Sequence, residues 1–235
     1  MNANPISTKN DISKNDKSRV VVSWTGGKDG CLACYGAISE GFEVSHLLNF
    51  REARRRGSHD INPGLIYAQA EALGIPLIHK DFISYEQEFK KVVRDLRESG
   101  EQVDGAVFGH IETHKNLVDR ICGELGLELI MPLWQRNSEQ IINGLIDSGF
   151  EAILLSVKAD LLGKEWLGRK IDENFIRDLR NHNPSIDPCG ENGEFHTFVT
   201  DGPLFKNKIK IVESEMVLRG GYWFLDISTF EAEKK

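Results

Sequence analysis

A run of three valines followed closely by a glycine-rich turn most restricts what this chain can fold into. Residues 20–22 are the valines, and Thr25-Gly26-Gly27-Lys28-Asp29-Gly30 begins three positions later. Apolar residues then recur at helical spacing, which predicts a strand, a glycine loop and a helix. The free N–H groups and positive dipole at a helix start favour an anion, and Lys28 adds a charge that can reach a phosphate. The stretch therefore predicts a phosphate-binding loop, with an ordinary strand-to-helix turn as the alternative.

The loop has the spacing of neither the nucleotide P-loop nor the dinucleotide fingerprint. It resembles the PP-loop of ATP pyrophosphatases, Ser-Gly-Gly-x-Asp-Ser. Thr25 keeps the first hydroxyl of that motif, whereas Gly30 lacks the last one. The resemblance implies that the loop holds the β- and γ-phosphates of ATP while a substrate oxygen attacks the α-phosphorus. The residues implied in nucleotide binding here are Ser23, Thr25, Gly26, Gly27, Lys28, Asp29 and Gly30.

Further strands are predicted at residues 44–49, 77–79, 105–108 and 129–131, each separated from the next by a helical stripe. Strict alternation with short loops predicts an α/β fold, a doubly wound parallel sheet of five strands. Ligands bind such sheets at the carboxyl ends of the strands. The loops expected to form the site are therefore residues 25–30, 49–58 and 109–114, the second of which is rich in arginine.

The second half of the chain is less regular. A helix near residues 141–146, a strand at 152–157 and a hairpin joining 208–217 to 222–227 predict a smaller C-terminal α+β domain. We place the boundary near residue 135, giving domains at 19–135 and 136–230. Residues 1–18 are polar and predict a disordered tail, and residues 231–235 are expected to be solvated.

An acidic, glycine-rich stretch spans residues 187–205. Glu191 and Glu194 are three positions apart, with glycines around them. Two such carboxylates can bind an ammonium ion, hold Mg²⁺ together with nucleotide phosphates, or act as a base. A solvated turn is the alternative interpretation, since turn loops are often acidic.

Four motifs in order resemble the diphthine–ammonia ligase family of the PP-loop superfamily. They are the PP-loop, Gly-x-Ile at residues 109–111, Pro-Leu-Trp at 132–134 and Cys-Gly-Glu-x-Gly-Glu-Phe-x-Thr at 189–197. The resemblance implies a Rossmann-like HUP domain of the adenine nucleotide alpha hydrolase type, followed by a substrate domain. It implies an ATP- and Mg²⁺-dependent enzyme that adenylates the carboxylate of diphthine, a modified histidine of a translation elongation factor, before ammonia displaces AMP.

The same resemblance implies roles for individual residues. The catalytic residues that it implies are Lys28, Asp29, Glu191, Glu194 and His196. The adenine lies near Leu48 and Asn49, and Gly109 and His110 face the same crevice. His110 could contact ribose or phosphate, or could simply be a solvent-exposed histidine at the start of a helix.

Two positions depart from the diphthamide pattern Glu-Gly-Gly-Glu-Phe/Tyr-Glu-Thr. Asn192 stands in place of glycine and His196 in place of glutamate. This version resembles a paralogous subgroup proposed to act in cobalamin salvage. The alternatives are therefore another amide ligase, a non-catalytic ATP-binding module and, less favoured, a tRNA sulfurtransferase.

The amino-acid composition bears on the ligands of the protein and on the compartment in which it works. The 40% hydrophobic content of the 235 residues is adequate for a buried core, and the net charge of −7 disfavours nonspecific nucleic-acid binding. With no signal peptide or membrane-length apolar run, we expect a cytoplasmic protein with reduced cysteines. Histidine and cysteine spacings predict no zinc site. A small-molecule or modified-histidine carboxylate and ammonia are the expected partners, and a homo-oligomer remains open.

Overall fold

A computed structural model describes residues 17–52 and 61–235. Most of the tail predicted at residues 1–18, and residues 53–60 of the arginine-rich loop, lie outside the described residues. The first part of the chain alternates strictly between strands and helices. Its elements are β1 (Arg19–Ser23), α1 (Lys28–Ser39), β2 (Glu43–Glu52), α2 (Pro63–Leu73), β3 (Leu77–Phe82), α3 (Tyr85–Glu98), β4 (Gly105–Val107), α4 (Lys115–Leu125) and β5 (Glu128–Ile130).

These five strands form one parallel sheet in the order β3-β2-β1-β4-β5. The chain moves outward from β1 to β3 and then returns to β4 beside β1. The order of the strands therefore reverses between β1 and β4, where a doubly wound sheet opens its ligand crevice. The α/β prediction of a five-stranded parallel sheet is confirmed.

Local sequence fixes several helix ends in this sheet. Asn62 caps α2 by accepting the N–H of Gly64, and Ser84 caps α3 by accepting that of Gln87. Gly74 ends α2 in the left-handed region at φ 70°, which glycine adopts without a steric penalty. The N-terminus of α1 differs, since its N-cap residue Gly27 forms no side-chain capping bond.

The second part of the chain builds an antiparallel sheet in the order β7-β6-β9-β8. Its elements are α5 (Ser138–Asp147), β6 (Glu151–Lys158), α6 (Glu173–His182), β7 (Phe195–Asp201), β8 (Asn207–Arg219) and β9 (Tyr222–Lys234). The predicted hairpin is confirmed as β8–β9. Residues 231–235 are exposed, as expected, and as far as Lys234 they also belong to β9, in which Lys234 pairs with Asn207 of β8.

Two further details differ from the sequence prediction. Strand β7 falls inside the stretch interpreted as an acidic loop. Strand β2 continues to Glu52, so Phe50 and Arg51 belong to the sheet and not to the loop predicted at residues 49–58. Arg51 forms a bidentate pair with Asp81 of β3 at 2.8 and 3.0 Å, which keeps this basic residue at the sheet.

One apolar cluster runs through both parts of the molecule. It includes Val20 and Val22 of β1 and continues to Phe195 and Phe198 of β7. A second cluster covers the opposite face of the parallel sheet, where Phe89 and other residues of α3 and α4 pack. The antiparallel unit is therefore packed against the side of the parallel sheet that α1 and α2 cover, where β7 contacts α1 and both β8 and β9 contact α2.

Candidate active site

A cleft of about 590 Å³ opens at the carboxyl ends of β1 and β4 and is closed on its far side by the second unit. Its walls include residues from every predicted site loop that the structure describes. Of the residues predicted from sequence, the cleft is lined by Thr25, Gly27, Lys28, Asp29, Asn49, Gly109, His110, Glu191 and His196. Ser23, Gly26, Gly30, Leu48 and Glu194 are not among the lining residues.

The positive charge of the predicted phosphate-binding loop, residues 25–30, is buried. Lys28 is only 3% exposed, and its Nζ lies 2.8 Å from Oδ2 of Asp29. Burial acts to lower the pKa of Lys28, but the neighbouring Asp29 outweighs it together with weaker contributions, so the pKa is raised. The amine therefore stays protonated and carries its charge at the floor of the cleft.

Glycine is required where the β4 loop meets the start of α1. A Cβ on Gly109 would lie 2.8 Å from the carbonyl carbon and oxygen of Asp29. A Cβ on Gly26, which has φ 79°, would lie 2.6 Å from Oε1 of Gln69. Glycine at position 109 therefore allows two backbone segments to approach closely, and glycine at position 26 suits the left-handed backbone there.

Glu191 faces the lysine across the cleft. Its Oε1 lies 3.9 Å from Nζ of Lys28. Burial is the main cause of a pKa raised to about 7, with Asp29 and other carboxylates adding to the shift and Lys28 opposing it. A carboxyl group with such a pKa can accept or release a proton near neutral pH.

Glu194 occupies a different environment. It is 4% exposed, and its carboxylate accepts the N–H groups of Asp187 at 3.1 Å and Asn192 at 2.9 Å. The side-chain amide of Asn192 donates to it as well, at 3.1 Å. These bonds close the acidic loop on itself, which leaves Glu191 as the carboxylate directed into the cleft.

The two halves of the chain match two consecutive family models. Residues 18–129 match the diphthamide synthase N-terminal domain, and residues 137–234 match the diphthamide synthase C-terminal domain. The human protein named diphthine–ammonia ligase is 29% identical over 238 residues, covering 89% of each chain. The zebrafish protein of that name is 30% identical over 227 residues, covering 85% of this chain and 89% of its own.

The chain belongs to the diphthine–ammonia ligase family. The family resemblance inferred from the four sequence motifs is thereby confirmed. A solved structure described as a predicted subunit of tRNA methyltransferase from Methanocaldococcus jannaschii aligns with 16% identity over 79% of this chain and 98% of its own. Its TM-score of 0.43 is too low to bear on function.

The two departures from the diphthamide pattern of the ligase family have different surroundings. The side chain of Asn192 donates a hydrogen bond to Glu194, which a glycine at this position could not do. Asn192 therefore stabilises the acidic loop. His196 lines the cleft, and its ring stacks on Tyr222 with centroids 6.2 Å apart. The hydroxyl of Tyr222 donates to the carbonyl of Gly193 at 3.0 Å. His196 is thus held at the cleft wall by the acidic loop and the β8–β9 hairpin.

Asn49 is oriented by a network that the sequence did not reveal. Its amide nitrogen donates to the carbonyl of Trp24 at 2.8 Å, and its oxygen lies 2.6 Å from Nδ1 of His79. Because the amide oxygen can only accept, Nδ1 of His79 carries the proton. Leu48 is fully buried beneath this position, and Ser23 bonds the hydroxyl of Tyr85 at 2.9 Å.

His110 adds polarity but no charge. Burial, and then the neighbouring His114, lower its pKa to about 4. Its buried Nδ1 has no hydrogen-bond partner among the described residues. His110 is therefore neutral near pH 7, and a phosphate in the cleft would meet the charge of Lys28 instead.

The donor set near the loop includes an oxygen that is suited to a nucleotide-borne Mg²⁺. Within residues 17–52 and 61–235, no three His, Cys, Asp or Glu side chains converge on a metal site. One oxygen of Asp29, Oδ1, is buried without a hydrogen-bond partner in that same part of the chain. Mg²⁺ usually takes one or two carboxylates along with phosphate oxygens, and Asp29 offers such an oxygen.

The remaining expectations concern cysteines and membranes. Cys31 and Cys34 are buried, and burial raises the pKa of each thiol, to about 12 for Cys34. Both are therefore protonated thiols on the buried side of α1.

Among the helices in the described ranges, none is both long and apolar enough to cross a membrane.

Proposed function

We propose that the protein is an ATP-dependent, AMP-forming carboxylate–ammonia ligase. In the first step, a substrate carboxylate oxygen attacks the α-phosphorus of ATP and the bond to the bridging oxygen breaks, releasing pyrophosphate. In the second step, ammonia attacks the carbonyl carbon of the acyl adenylate. The bond to AMP then breaks, and a proton leaves the nitrogen.

The observation that carries this proposal is the 3.9 Å separation between Lys28 and Glu191. This short distance means that the predicted phosphate-binding loop and an ionisable carboxyl group face the same cleft. Lys28 offsets the negative charge that develops on pyrophosphate as it leaves. Glu191, with its pKa near 7, accepts the proton from the incoming nitrogen. Asp29 would contact a Mg²⁺ ion that accompanied the nucleotide, and the ion would help to neutralise the phosphate charge.

The proposed nucleotide pose follows the direction of the sheet. The triphosphate lies over Thr25, Gly27 and Lys28, and the adenine lies toward Asn49 at the end of β2. The carboxylate and ammonia then meet near Glu191. Glu194 serves as a positioning residue in this scheme, since its carboxylate is engaged by the backbone of the acidic loop.

Diphthine, presented by a translation elongation factor in the cytoplasm, is the first candidate substrate because of the names of the relatives. His196 at the cleft wall favours a second candidate, a different carboxylate such as one in cobalamin salvage. An imidazole there replaces a negative charge, which alters what the wall attracts. Both candidates use the same two chemical steps.

Product analysis tests the proposal. The protein is incubated with ATP, Mg²⁺, ammonium and either diphthine-bearing elongation factor or small carboxylates. Formation of AMP and pyrophosphate that depends on both carboxylate and ammonium supports ligation. Formation of ADP, or no turnover with any carboxylate, contradicts it and favours a non-catalytic ATP-binding module.

The variant His196→Glu separates the two substrate candidates. If His196 selects another carboxylate, the parent amidates diphthine poorly and the variant amidates it faster. Efficient amidation of diphthine by the parent, unchanged in the variant, assigns the protein to diphthamide synthesis. The control is Tyr222→Phe, which keeps the ring beneath His196 and removes only the bond to Gly193.

A further inference from the structure

The start of α1 is capped by a residue from the other end of the chain. Gly27 supplies no side chain, and the N–H of Lys28 donates to Oγ1 of Thr197 at 3.1 Å. Thr197 lies on β7, 169 positions away in sequence. A hydroxyl group of the second unit thus sits directly on the predicted phosphate-binding loop.

Two more contacts hold the loop from the same side. The carbonyl of Gly26 accepts the N–H of Val199 at 3.0 Å and the side-chain amide of Gln69 at 2.9 Å. Gln69 also donates to the carbonyl of Val199 at 2.7 Å. In a trans peptide the C=O and N–H point in opposite directions. Fixing the Gly26 oxygen from behind therefore turns the N–H of Gly27 toward the cleft.

The Thr197 hydroxyl retains an unused donor. A threonine hydroxyl has one proton to donate and can accept two. Its oxygen accepts from Lys28, and within the described ranges its proton has no acceptor. Thr197 is 7% exposed and lines the cleft. A buried hydroxyl that still has a proton to give is suited to an anionic oxygen.

We propose that Thr197 is a phosphate-binding residue. Through Thr197, strand β7 contributes to the set of groups around the ATP phosphates, which we call the cradle. Its oxygen orients the N–H of Lys28 while its proton is donated to a phosphate oxygen of ATP. The cradle is then composed of two units, with backbone N–H groups and Lys28 from the first and a hydroxyl from the second. This inference rests on the proposed function, since it requires ATP at this loop.

Direct binding measurements test the role of Thr197. Titration calorimetry with ATP and Mg²⁺, without a carboxylate substrate, compares the parent with Thr197→Val and Thr197→Ser. Valine keeps the branched shape and removes the hydroxyl, and serine keeps the hydroxyl. We expect Thr197→Val to weaken ATP binding at least tenfold, as loss of a hydrogen bond to a charged group does, and Thr197→Ser to stay within threefold of the parent.

Thr200→Val is the matched control. Thr200 is a buried threonine on the same strand, but its hydroxyl donates to the carbonyl of Glu151 at 3.1 Å. Removing it disturbs β7 without touching the loop, so ATP affinity should change less than twofold. Adenosine provides a second control, since its affinity should be unaltered in Thr197→Val.

The outcomes are distinct. Thr197→Val with the ATP affinity of the parent overturns the role of Thr197. Equal weakening of adenosine and ATP also overturns it, because the change would then reflect the fold and not the phosphate contact. A parent that binds no ATP contradicts the proposed function itself. Selective loss of ATP affinity, rescued by serine, supports the proposal.

Discussion

At the scale of single residues, Lys28 carries the buried charge on which the proposed ATP-binding loop depends. Replacing it by methionine keeps most of the volume and removes the charge. We expect Lys28→Met to raise the Kd for ATP at least tenfold, a loss of about 1.4 kcal/mol or more, measured by calorimetry. Lys90→Met is the matched control, because Lys90 is also buried and paired, with Glu86 and Glu124, outside the cleft. An unchanged Kd in Lys28→Met would refute the assignment.

Glu191 predicts a characteristic pH dependence. With its pKa raised to about 7, it is mostly protonated below that pH and cannot accept a proton from ammonia. At constant free ammonia, the rate of amide formation should therefore rise as the pH passes through about 7. Glu191→Gln should lower the rate about 100-fold and abolish this limb. A parent whose rate does not change between pH 6 and pH 8 would exclude Glu191 as the base.

The same shift affects stability in a predictable direction. The carboxyl of Glu191 binds its proton more tightly in the folded protein than in the unfolded chain, so its contribution to stability is lost as pH rises through about 7. Glu191→Gln should therefore stabilise the protein more at pH 8 than at pH 5. We expect a difference on the order of 1 kcal/mol, since the group is partly exposed. Urea unfolding at the two pH values measures it, with Glu215→Gln at an exposed position of β8 as the control.

Residues near the turn were predictable, and residues brought in from afar were not. Lys28 and Asp29 follow from the loop sequence, because a strand–glycine–helix turn fixes their position locally. Gln69 and Thr197 are ordinary polar residues in sequence, and only tertiary packing reveals that both contact the loop. Glu191 and Glu194 look equivalent in the motif, yet backbone N–H groups engage only the second.

At the scale of elements, the approach of the β4 loop to α1 depends on Gly109. A methyl group there would lie 2.8 Å from the backbone of Asp29, which must shift. We expect Gly109→Ala to cost about 1–3 kcal/mol of stability and to weaken ATP binding. Gly123→Ala is the control: it lies within α4 with open space around it, and alanine there should stabilise by up to about 1 kcal/mol. Chemical denaturation of both variants distinguishes these outcomes, and equal stabilities would contradict the predicted steric role.

Elements with clear periodicity were predicted from sequence, and one without it was missed. The helices and the parallel strands of the first unit repeat at 3.6 residues or as short apolar runs. Strand β7 mixes His196, Thr197 and Thr200 with apolar residues, yet nearly all of it is buried. It is covered on both faces, so no alternation of polar and apolar residues marks it as a strand.

At the scale of the whole molecule, the shared apolar cluster predicts one cooperative unit. Val22 of β1 and Phe198 of β7 belong to the same cluster, so the two units share a large part of their core. We expect calorimetry of the full chain to show a single thermal transition with equal calorimetric and van't Hoff enthalpies. Two separated transitions would contradict this and show that the units unfold independently.

Because all four cysteines are buried, their rates of chemical labelling report on local opening of the structure. Cys31, Cys34, Cys122 and Cys189 are all buried as free thiols, and burial raises the pKa of each. Alkylating reagents react with thiolates, so the native protein resists them and reaction requires opening of the structure. Because Cys31 lies in α1 and Cys189 in the acidic loop, the order in which the four are labelled records which part of the molecule opens first.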